Sequence, residues 1–467
     1  MSTGKSIYDK APVFLQNLLL TGYSALLDRK RYGRQFSEYA ALLERSQWLS
    51  GPELASYQEE RLRLLIGRAY DTVPYYRRVF DERGLKPGDI RTPADLPKLP
   101  VLTRQDIKDN FKDLLSTGLN VKTVPKGHTS GTTGSPLEVC YDRSVIQFTY
   151  AALDRHYRWA GCELSRAGDR IAVARGNVIV PLGQESPPFW RYNRVHNQIL
   201  LSSFHLSRKN LGHYFRELER YRPAVFDGYP STLYVLAKYL HDNGRTFPAK
   251  AVITSSETLY DFQRELIEKS FGCRVFDYYA LAERTVFASE CSAHCGNHLY
   301  PEYGITEVLD RNGEACAPGE AGLLVTTGLH NLAMPLIRYA TSDMTSIRPA
   351  GCACGRRLPV IEPVTTKAED MLTLEDGRVI SPSVLTHPFK PLDSVAASQI
   401  VQEGLNDILV RIVPNSNFTP EERDHLVKEL KARLGERVNV NIELVNEVPR
   451  SRSGKFRWVI SNVKLGI

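Results

Sequence analysis

Residues 223–256 read PAVFDGYPSTLYVLAKYLHDNGRTFPAKAVITSS, and this stretch indicates the architecture of the chain. Its two ends, PAVFDGYP (223–230) and AKAVITSS (249–256), are short apolar runs bounded by turn-forming residues, as is typical of buried strands. Ser231 is the expected N-cap of a helix between them. Apolar residues of that helix recur at i, i+3, i+4 and i+7: Leu233, Leu236, Ala237 and Leu240. Strand, helix and strand predict an α/β fold with a largely parallel sheet.

The same alternation continues on both sides of this stretch. DRIAVA (169–174) is an earlier strand, and CRVFDYYA (273–280) is a later one that follows a helix ending near Gly272. Ligands of such sheets bind beyond the carboxyl ends of the parallel strands. The polar and aromatic residues at those ends are therefore candidate site residues: Tyr229, Ser256, Glu257 and Tyr279.

The two ends of the chain have different patterns. Residues 1–100 have helical spacing, and the last hundred residues contain a strand (407–413), a helix capped by Thr419 and ended by Gly435, and a half-buried strand (438–445). The junction is expected in the polar segment 365–382, which has a turn at Asp376-Gly377. We predict a large, multi-layer α/β domain over 1–366 and a small, mobile α+β domain over 367–467.

Composition excludes several classes of protein. The chain has 467 residues, 42% of them hydrophobic, and a net charge of +7, which is too diffuse to indicate a nucleic-acid partner. No stretch has the apolar length to span a bilayer, and the N-terminus lacks a signal-peptide pattern, so a cytoplasmic protein is expected. Residues 13–20 predict an amphipathic helix that docks on the protein's own body; contact with a membrane surface is the less favoured alternative.

Residues 128–136 read HTSGTTGSP and are rich in hydroxyls and glycines. The lysine of a Walker A loop is missing, and so is the G-x-G-x-x-G pattern of dinucleotide-binding folds. Two interpretations remain: a mobile turn, or a phosphate cradle of backbone N–H groups and hydroxyls. The residues of that cradle would be Thr129, Ser130, Gly131, Thr132, Thr133 and Gly134.

Four stretches together resemble one family. TSGTTGSP (129–136), YYALAER (278–284), PLIRYATSD (335–343) and PRSRSGKFRW (449–458) occur in the order found in adenylate-forming enzymes, which include acyl- and aryl-CoA synthetases, luciferases and adenylation domains. AVITSSETL (251–259), ECSAHCGNHLYPEYGITEV (290–308) and GCACGRRLP (351–359) most resemble the phenylacetate-CoA ligase branch and its capsule-biosynthesis members. The resemblance covers nearly the whole chain.

This resemblance implies a reaction in two halves and an acyl-CoA synthetase-like fold. A carboxylic acid attacks the α-phosphate of ATP to give an acyl-adenylate and pyrophosphate, and an acceptor then displaces AMP. CoA is the expected acceptor. An amide-forming or other acyl-transferring enzyme of polysaccharide or secondary-metabolite biosynthesis is one alternative, and a non-catalytic nucleotide-binding relative is another.

The resemblance also implies roles for individual residues. Lys455 would bridge the carboxylate and the α-phosphate, and Glu283 would hold Mg²⁺. Tyr279, next to Tyr278, would stack on adenine, and Asp343 would accept hydrogen bonds from the ribose hydroxyls. The remaining assignments are Ser256 and Glu257 in the adenine site and Lys367 in place of the family's hinge arginine.

Two positions depart from the family pattern. Ala280 replaces a common glycine, and Ala282 replaces a Ser or Thr whose hydroxyl would contact phosphate. For the acyl pocket, the segments at 202–207 and 227–232 suggest Phe204, His205 and Tyr229, although a structural role for His205 is the favoured alternative.

Four of the eight cysteines form two close pairs, Cys291-x3-Cys295 and Cys352-x-Cys354. Two such pairs in a chain without an export signal fit a structural zinc site, with buried or reactive thiols as the alternative. The resemblance implies a ligand set of Cys291, His298, Cys352 and Cys354, with Cys295 as the competing fourth ligand.

Overall fold

A computed structural model gives the fold. The residues it describes are 8–120, 122–128, 137–164, 168–207, 209–257, 259, 261–310, 312–364, 372–380, 382–385, 387–389, 391–392, 394–414, 418–446, 448 and 459–463. Lys367, Lys455 and the loop residues from Thr129 to Pro136 lie outside them.

Helices and strands alternate over residues 198–280, as the sequence predicts. The helices are α1 (Val13–Arg31), α2 (Arg34–Ser46), α3 (Gly51–Thr72), α4 (Pro74–Glu82), α5 (Arg104–Asp109), α6 (Arg143–Trp159), α7 (Leu211–Tyr221), α8 (Pro230–Asp242), α9 (Asp261–Phe271), α10 (Pro382–Leu385) and α11 (Pro420–Leu434). The strands are β1 (Lys126–His128), β2 (Glu138–Cys140), β3 (Ile171–Ala174), β4 (Trp190–Asn193), β5 (Gln198–Leu201), β6 (Val225–Gly228), β7 (Ala251–Ser255), β8 (Val275–Ala280), β9 (Phe287–Glu290), β10 (Asn297–Leu299), β11 (Gly304–Leu309), β12 (Gly322–Gly328), β13 (Tyr339–Thr345), β14 (Val360–Ile361), β15 (Leu372–Thr373), β16 (Val379–Ile380), β17 (Val395–Gly404), β18 (Asp407–Pro414), β19 (Asn439–Leu444) and β20 (Val459–Ser461).

A nine-stranded sheet organises the large part of the chain, in the order β14-β10-β9-β8-β7-β6-β3-β5-β4. Its central strands β8, β7, β6, β3 and β5 pair in parallel, which confirms the predicted α/β fold. The strands on either side are antiparallel. Gly228 at the end of β6 is required by packing, because a Cβ there would lie 2.7 Å from the Ala174 carbonyl oxygen.

Helix α8 begins earlier than the sequence suggested. Ser231 was expected as its N-cap, but the N-cap is Tyr229 and Pro230 occupies the first helical position. Proline is favoured there because its φ is already helical and it has no N–H to satisfy. The Ser231 backbone N–H instead donates to Oε2 of Glu257, 3.2 Å away, so a distant carboxylate replaces the local cap.

Within the described residues 8–100 the chain is mostly helical, as expected. The apolar residues of α3 that recur at i, i+3, i+4 and i+7 are all buried: Leu62, Leu65, Ile66 and Ala69. A capping box between Ser50 and Glu53 begins the helix, with Ser50 N lying 2.8 Å from Glu53 Oε2. This helical layer packs against the sheet through one extensive apolar core, which fixes the position of the large sheet's antiparallel end.

Helix α1 lies against the body of the protein beside β4, but through its polar face. Asn17 Oδ1 accepts the Tyr192 backbone N–H at 2.9 Å, and Ser24 Oγ lies 2.9 Å from Asn193 Nδ2. The docking expected from sequence is confirmed, although the residues that make it are polar rather than apolar. Among the described residues, no helix combines the length and apolarity needed to cross a bilayer.

The C-terminal region forms its own four-stranded sheet, β19-β18-β17-β20, packed on α11. Thr419 caps α11 as expected, and its backbone N–H lies 2.9 Å from Glu422 Oε2 in a capping box. Gly435 ends the helix with a φ of 117°, in the region that favours glycine. The division of the chain at 366/367 falls outside the described residues and stays a prediction.

Candidate active site and metal centre

The hydroxyl-rich loop follows β1 and precedes β2, which pair as an antiparallel hairpin with His128 opposite Glu138. Behind the hairpin, the Tyr141 hydroxyl donates to the Ala282 carbonyl at 2.5 Å. Gly127 allows this approach, since a Cβ there would come within 2.2 Å of the Tyr141 hydroxyl oxygen. The base of the hairpin is thereby fixed next to the turn that carries Glu283.

Glu283 is buried at the end of the turn after β8, with 5% of its surface exposed. The Tyr339 hydroxyl on β13 donates to its Oε1 at 2.6 Å. Burial raises the pKa of Tyr339, so this hydroxyl remains a proton donor across the neutral range. One carboxylate oxygen is therefore oriented by the protein, which is the arrangement a metal-binding carboxylate requires.

Tyr279 and Asp343, predicted to serve the same nucleotide, are in contact. The Tyr279 hydroxyl at the end of β8 donates to Asp343 Oδ2 on β13 at 2.6 Å. Burial, assisted by the charge of Glu283, raises the pKa of Asp343 to about 6, and the Tyr279 hydrogen bond opposes the rise. Two hydrogen bonds thus join this part of the chain to β13: Tyr279 on β8 donates to Asp343 on β13, and Tyr339 on β13 donates to Glu283 in the turn after β8.

Arg338 fixes the start of β13. Its guanidinium contacts both oxygens of Glu307, with Nε at 3.1 Å and Nη2 at 3.0 Å, and its Nη1 donates to the Leu99 carbonyl at 2.7 Å. The residue is buried and has a φ of 53°. The R-Y-x-T-x-D stretch therefore has a structural residue, Arg338, followed by two residues that face the candidate site, Tyr339 and Asp343.

Arg175 is a central residue of the site that the sequence analysis missed. It follows β3, and its Nε lies 3.0 Å from Asp227 Oδ1, its Nη1 3.0 Å from Ser255 Oγ and its Nη2 3.2 Å from the Tyr278 hydroxyl. It thus joins four parallel strands at their carboxyl ends. Its position directly after the predicted strand 169–174 was the signal that could have identified it.

The other predicted adenine-site residues lie at the neighbouring strand end. Ser256 follows β7 with a φ of 72°, which turns the chain sharply away from the sheet. Its Oγ lies 3.2 Å from Ser255 Oγ, next to Arg175. Glu257 points the other way, toward the first turn of α8. The two residues therefore have different surroundings. Ser256 lies beside Ser255, which contacts Arg175, whereas Glu257 contacts the first turn of α8.

A cleft with walls from both parts of the chain contains two of the three predicted acyl-site residues, Phe204 and Tyr229. Its lining residues are Ser203, Phe204, Leu206, Tyr229, Ser231, Thr232, Val235, Arg378, Ile380 and Val384. Arg378 donates to the Phe204 carbonyl at 3.0 Å and to the Leu434 carbonyl at 2.6 Å, so it joins the C-terminal region to the large part.

His205 is not among the residues that line this cleft. Its Nδ1 lies 2.7 Å from Ser202 Oγ, and its ring stacks on Phe189 with centroids 5.0 Å apart. Burial, with a contribution from the Arg378 charge, lowers its pKa to about 4, so the ring is neutral near pH 7. This environment is that of a structural histidine.

The four predicted metal ligands converge at the antiparallel end of the large sheet. Ligand atoms of Cys291, His298, Cys352 and Cys354 all lie within 4.8 Å of one another. Cys291 Sγ is 3.5 Å from Cys352 Sγ, and Cys354 Sγ is 3.5 Å from His298 Nε2. These distances are close to the edge of about 3.8 Å expected for a tetrahedron with zinc–sulfur bonds of about 2.3 Å.

The surroundings of His298 also fit a metal. Its Nδ1 lies 3.4 Å from the Leu358 carbonyl, which leaves Nε2 directed at the thiols, and burial lowers its pKa to about 4. A neutral imidazole with one nitrogen oriented by a carbonyl is the usual form of a ligating histidine. Cys295 lies outside the group of four, with its Sγ 3.3 Å from the Ala293 carbonyl.

Comparison with known proteins agrees with this architecture. Residues 372–462 match the family model of the CapK C-terminal domain. The protein CapK of Staphylococcus aureus is 26% identical over 473 residues, which cover 98% of this chain and 99% of that protein. A phenylacetate-coenzyme A ligase of Thermus thermophilus is 26% identical over 454 residues, with 87% of this chain and 96% of that protein covered.

A solved structure shows the same fold. The 2-hydroxyisobutyryl-CoA ligase in complex with 2-HIB-AMP and CoA superposes with a TM-score of 0.60, at 21% identity, over 90% of this chain and 91% of that one. The expected resemblance and the acyl-CoA ligase-like fold are both confirmed. The expectation of an AMP-forming acid–CoA ligase agrees with the activities for which these relatives are named.

Proposed function

We propose that this chain, a relative of CapK and the phenylacetate-coenzyme A ligases with an adenylate-forming fold, activates a carboxylic acid with ATP and transfers the acyl group to CoA. The observation that carries the proposal is the pair of hydrogen bonds Tyr339–Glu283 and Tyr279–Asp343. Through them Glu283 and Asp343 both lie beside the carboxyl end of β8, which pairs in parallel with β7, and this class of fold binds its ligands in that region.

Glu283 is the proposed Mg²⁺ ligand. Its carboxylate oxygens are hard ligands of the kind that Mg²⁺ prefers, and the side chain is buried. The Tyr339 hydroxyl orients one of the two oxygens, and the other can bind a cation. Mg²⁺ bound there would neutralise charge on the phosphate oxygens. The protein's own contribution is to hold the carboxylate in place before ATP arrives, so that little reorganisation is needed.

Asp343 is the proposed acceptor for the ribose hydroxyls, and Tyr279 is its partner. In the present arrangement the Tyr279 hydroxyl donates to Asp343 Oδ2, which leaves Oδ1 for a ribose hydroxyl. The same hydrogen bond fixes the orientation of the Tyr279 ring, whose face would pack on adenine. Tyr278, held by Arg175, supports the strand end from the other side.

The carboxylate of the acid and the α-phosphate of ATP are both negatively charged, so their reaction requires a nearby cation and several hydrogen-bond donors. Lys455 is the proposed cation between the carboxylate and the α-phosphate, and the loop Thr129–Gly134 is the proposed source of phosphate donors. Both lie outside the described residues. The hairpin β1–β2 supports the loop assignment, because its two strands flank the loop in the sequence and Tyr141, directly after β2, contacts Ala282, next to Glu283.

The remaining groups have structural or selective roles. Phe204 and Tyr229 would contact the acyl chain in the cleft they line. Zinc held by Cys291, His298, Cys352 and Cys354 would be structural, since four protein ligands leave no position open for substrate. A cytoplasmic location is proposed with this function, because ATP, CoA and free thiols are all found together there.

The experiment is a screen for pyrophosphate release from ATP across carboxylic acids of different size and polarity, with Mg²⁺ and with or without CoA. We expect release that depends on one class of acid, and a CoA thioester of that acid by mass spectrometry. Glu283→Gln should reduce release by about a hundredfold or more, whereas Glu314→Gln, an exposed acid outside the site, should not. An acyl-adenylate that forms but passes to an amine instead of CoA would favour the amide-forming alternative.

A further inference from the structure

Helix α1 is oriented with its polar side toward the protein. In addition to the contacts of Asn17 and Ser24, Gln16 Oε1 accepts from Arg191 Nε, and Asp28 Oδ1 lies 2.9 Å from His196 Nε2. Gln16 is 2% exposed although it is an amide. The helix is therefore attached to the body by a row of hydrogen bonds along four turns, and this attachment does not need its apolar residues.

The opposite side of α1 is apolar and faces solvent. Five large side chains on this side are exposed: Phe14 (73%), Leu18 (65%), Leu19 (43%), Tyr23 (60%) and Leu26 (60%). A surface helix of a globular protein normally has the reverse polarity, with its apolar side against the core. A contiguous apolar face of this kind marks a contact surface, because single exposed hydrophobic residues are common but a row of them is not.

The charges of α1 are arranged around this face. Between Phe14 and Leu26 the outward side carries no charge, while Arg29 and Lys30 are exposed at the C-terminal end and Lys10 is exposed before the helix. Asp28, the single acidic residue of α1, is turned inward to His196. The outward face thus combines an apolar centre with cationic ends, which is the pattern of helices that lie in the interface of anionic membranes.

We infer that α1 is a docking helix for an anionic lipid surface, on which the chain rests with the apolar face of α1 in the boundary between headgroups and acyl chains. A second copy of the chain fits this face less well. Two-fold pairing of α1 with itself would bring Arg29 and Lys30 of one copy against cationic residues of the other, and the outward face of α1 has no carboxylate to neutralise them. An anionic lipid surface neutralises all of these cations at once.

The test is co-sedimentation of the full chain with vesicles of phosphatidylcholine alone and of phosphatidylcholine containing phosphatidylglycerol. We expect binding to the anionic vesicles that weakens as salt is added, since the Lys and Arg contribution is screened. Leu18→Gln combined with Leu26→Gln should weaken partitioning by about tenfold or more. Arg29→Gln and Lys30→Gln should each weaken it by about fivefold.

The matched control is Leu64→Gln, because Leu64 is 54% exposed on α3, away from α1. It should bind vesicles as the unaltered chain does. A Leu26→Trp variant gives a positive signal: vesicles with brominated acyl chains should quench the added fluorescence. The inference is overturned if the unaltered chain ignores anionic vesicles, if the Leu64 control loses as much binding as the α1 variant, or if the α1 variant instead converts a dimer to a monomer without lipid. None of these outcomes bears on acid activation, which is measured without vesicles.

Discussion

The hydroxyl of Tyr339 donates a hydrogen bond of 2.6 Å to Oε1 of Glu283, across the gap between β13 and the turn after β8. The bond joins two stretches of sequence that are far apart in the chain and that the proposed chemistry needs together. In the proposal Tyr339 positions the carboxylate and Glu283 binds the metal ion. Substitutions at the two residues therefore test the two roles separately.

Tyr339→Phe should reduce acid-dependent pyrophosphate release by about tenfold and raise the Mg²⁺ concentration needed for half-maximal rate. The reason is that a hydrogen bond to a charged group is worth about 1.5–3 kcal/mol, and without it Glu283 is no longer held in one orientation. Steady-state rates over a magnesium titration measure both effects. Tyr23→Phe, on the exposed face of α1, is the control. An unchanged magnesium dependence would remove Tyr339 from this role.

Nucleotide binding should weaken at acidic pH because of Asp343. Its carboxyl pKa is raised to about 6, so the group is mostly ionised at pH 7 and only about a tenth ionised at pH 5. We expect ATP affinity, measured by calorimetry, to fall by about tenfold between these values if only the carboxylate accepts the ribose hydroxyls. Asp343→Asn should bind weakly at both values and lose the dependence. A wild-type affinity that is flat from pH 7 to pH 5 would contradict the assignment.

The Asp343 carboxyl group also makes the stability of the fold depend on pH, and for stability the acidic range is the favourable one. Because the folded pKa of Asp343 lies above its ordinary value of 3.8, the folded protein binds this proton more tightly than the unfolded chain. Its stabilising contribution is therefore complete below about pH 4 and is lost as pH rises through about 6. Asp343→Asn should remove that loss, so thermal midpoints of variant and parent should diverge as pH rises from 4 to 7, with the variant the more stable.

Protein prepared without added metal should contain about one zinc per chain. Cys352→Ser should lose it and unfold at a lower temperature, since the bound metal would link His298 on β10 to the segment that precedes β14. Cys316→Ser is the control at a thiol outside the group. Cys295→Ser should retain zinc, because Cys295 lies outside the group of four; loss of zinc from it would favour the competing ligand set. Protein that is isolated without zinc, with the thiols of Cys291, Cys352 and Cys354 titrating freely, would exclude the site.

Lys455→Ala should abolish formation of the acyl-adenylate while leaving ATP binding largely intact. Most of the proposed nucleotide contacts come from the large part of the chain, whereas Lys455 acts on the reacting carboxylate and α-phosphate. Lys428→Ala, at an exposed position of α11, is the control. Pyrophosphate release and ATP affinity are measured on the same preparations. Full adenylation by the Lys455 variant, with ATP bound normally, would remove the lysine from the reaction.

The C-terminal region should move between the two half-reactions, because one arrangement cannot easily present both Lys455 and an acceptor to the same face of the adenylate. Lys367→Pro should then impair adenylation and thioester formation unequally, since proline fixes φ and restricts the residue before it. The two half-reactions are measured separately, the second from a pre-formed acyl-adenylate. Equal loss in both, with the fold intact, would place the hinge elsewhere.

The parts of the site that follow from local pattern were predictable, and those that depend on distant partners were not. The spacing of Cys352 and Cys354, together with the resemblance, led to the four residues that converge in space. The N-cap of α8 was predicted wrongly, although Pro230 was a local signal for a start at Tyr229. The partner of the Ser231 N–H, Glu257, is 26 residues away, and no local pattern reveals it.

Arg175 and α1 show the same limit in different ways. Arg175 follows a strand that was identified correctly, but its partners Asp227, Ser255 and Tyr278 come from three other strands, and their meeting depends on strand order. For α1, the amphipathic pattern predicted a docked helix but did not identify the face that docks. The row of hydrogen-bonding partners on and beside β4 determines that face, and those partners are 168 to 175 residues away.

The guanidinium of Arg378 joins the Phe204 carbonyl to the carbonyl end of α11. The cleft beside it takes walls from both parts of the chain, so as a closed compartment it exists only while they are docked. If the acid binds in this cleft, an acid that is too large for it would prevent the C-terminal region from docking on the large part of the chain. Selection for the size of the acid would then take place at the docking step. We then expect acids to differ in the fraction of enzyme in which the two parts are docked, rather than in their affinity for the undocked form.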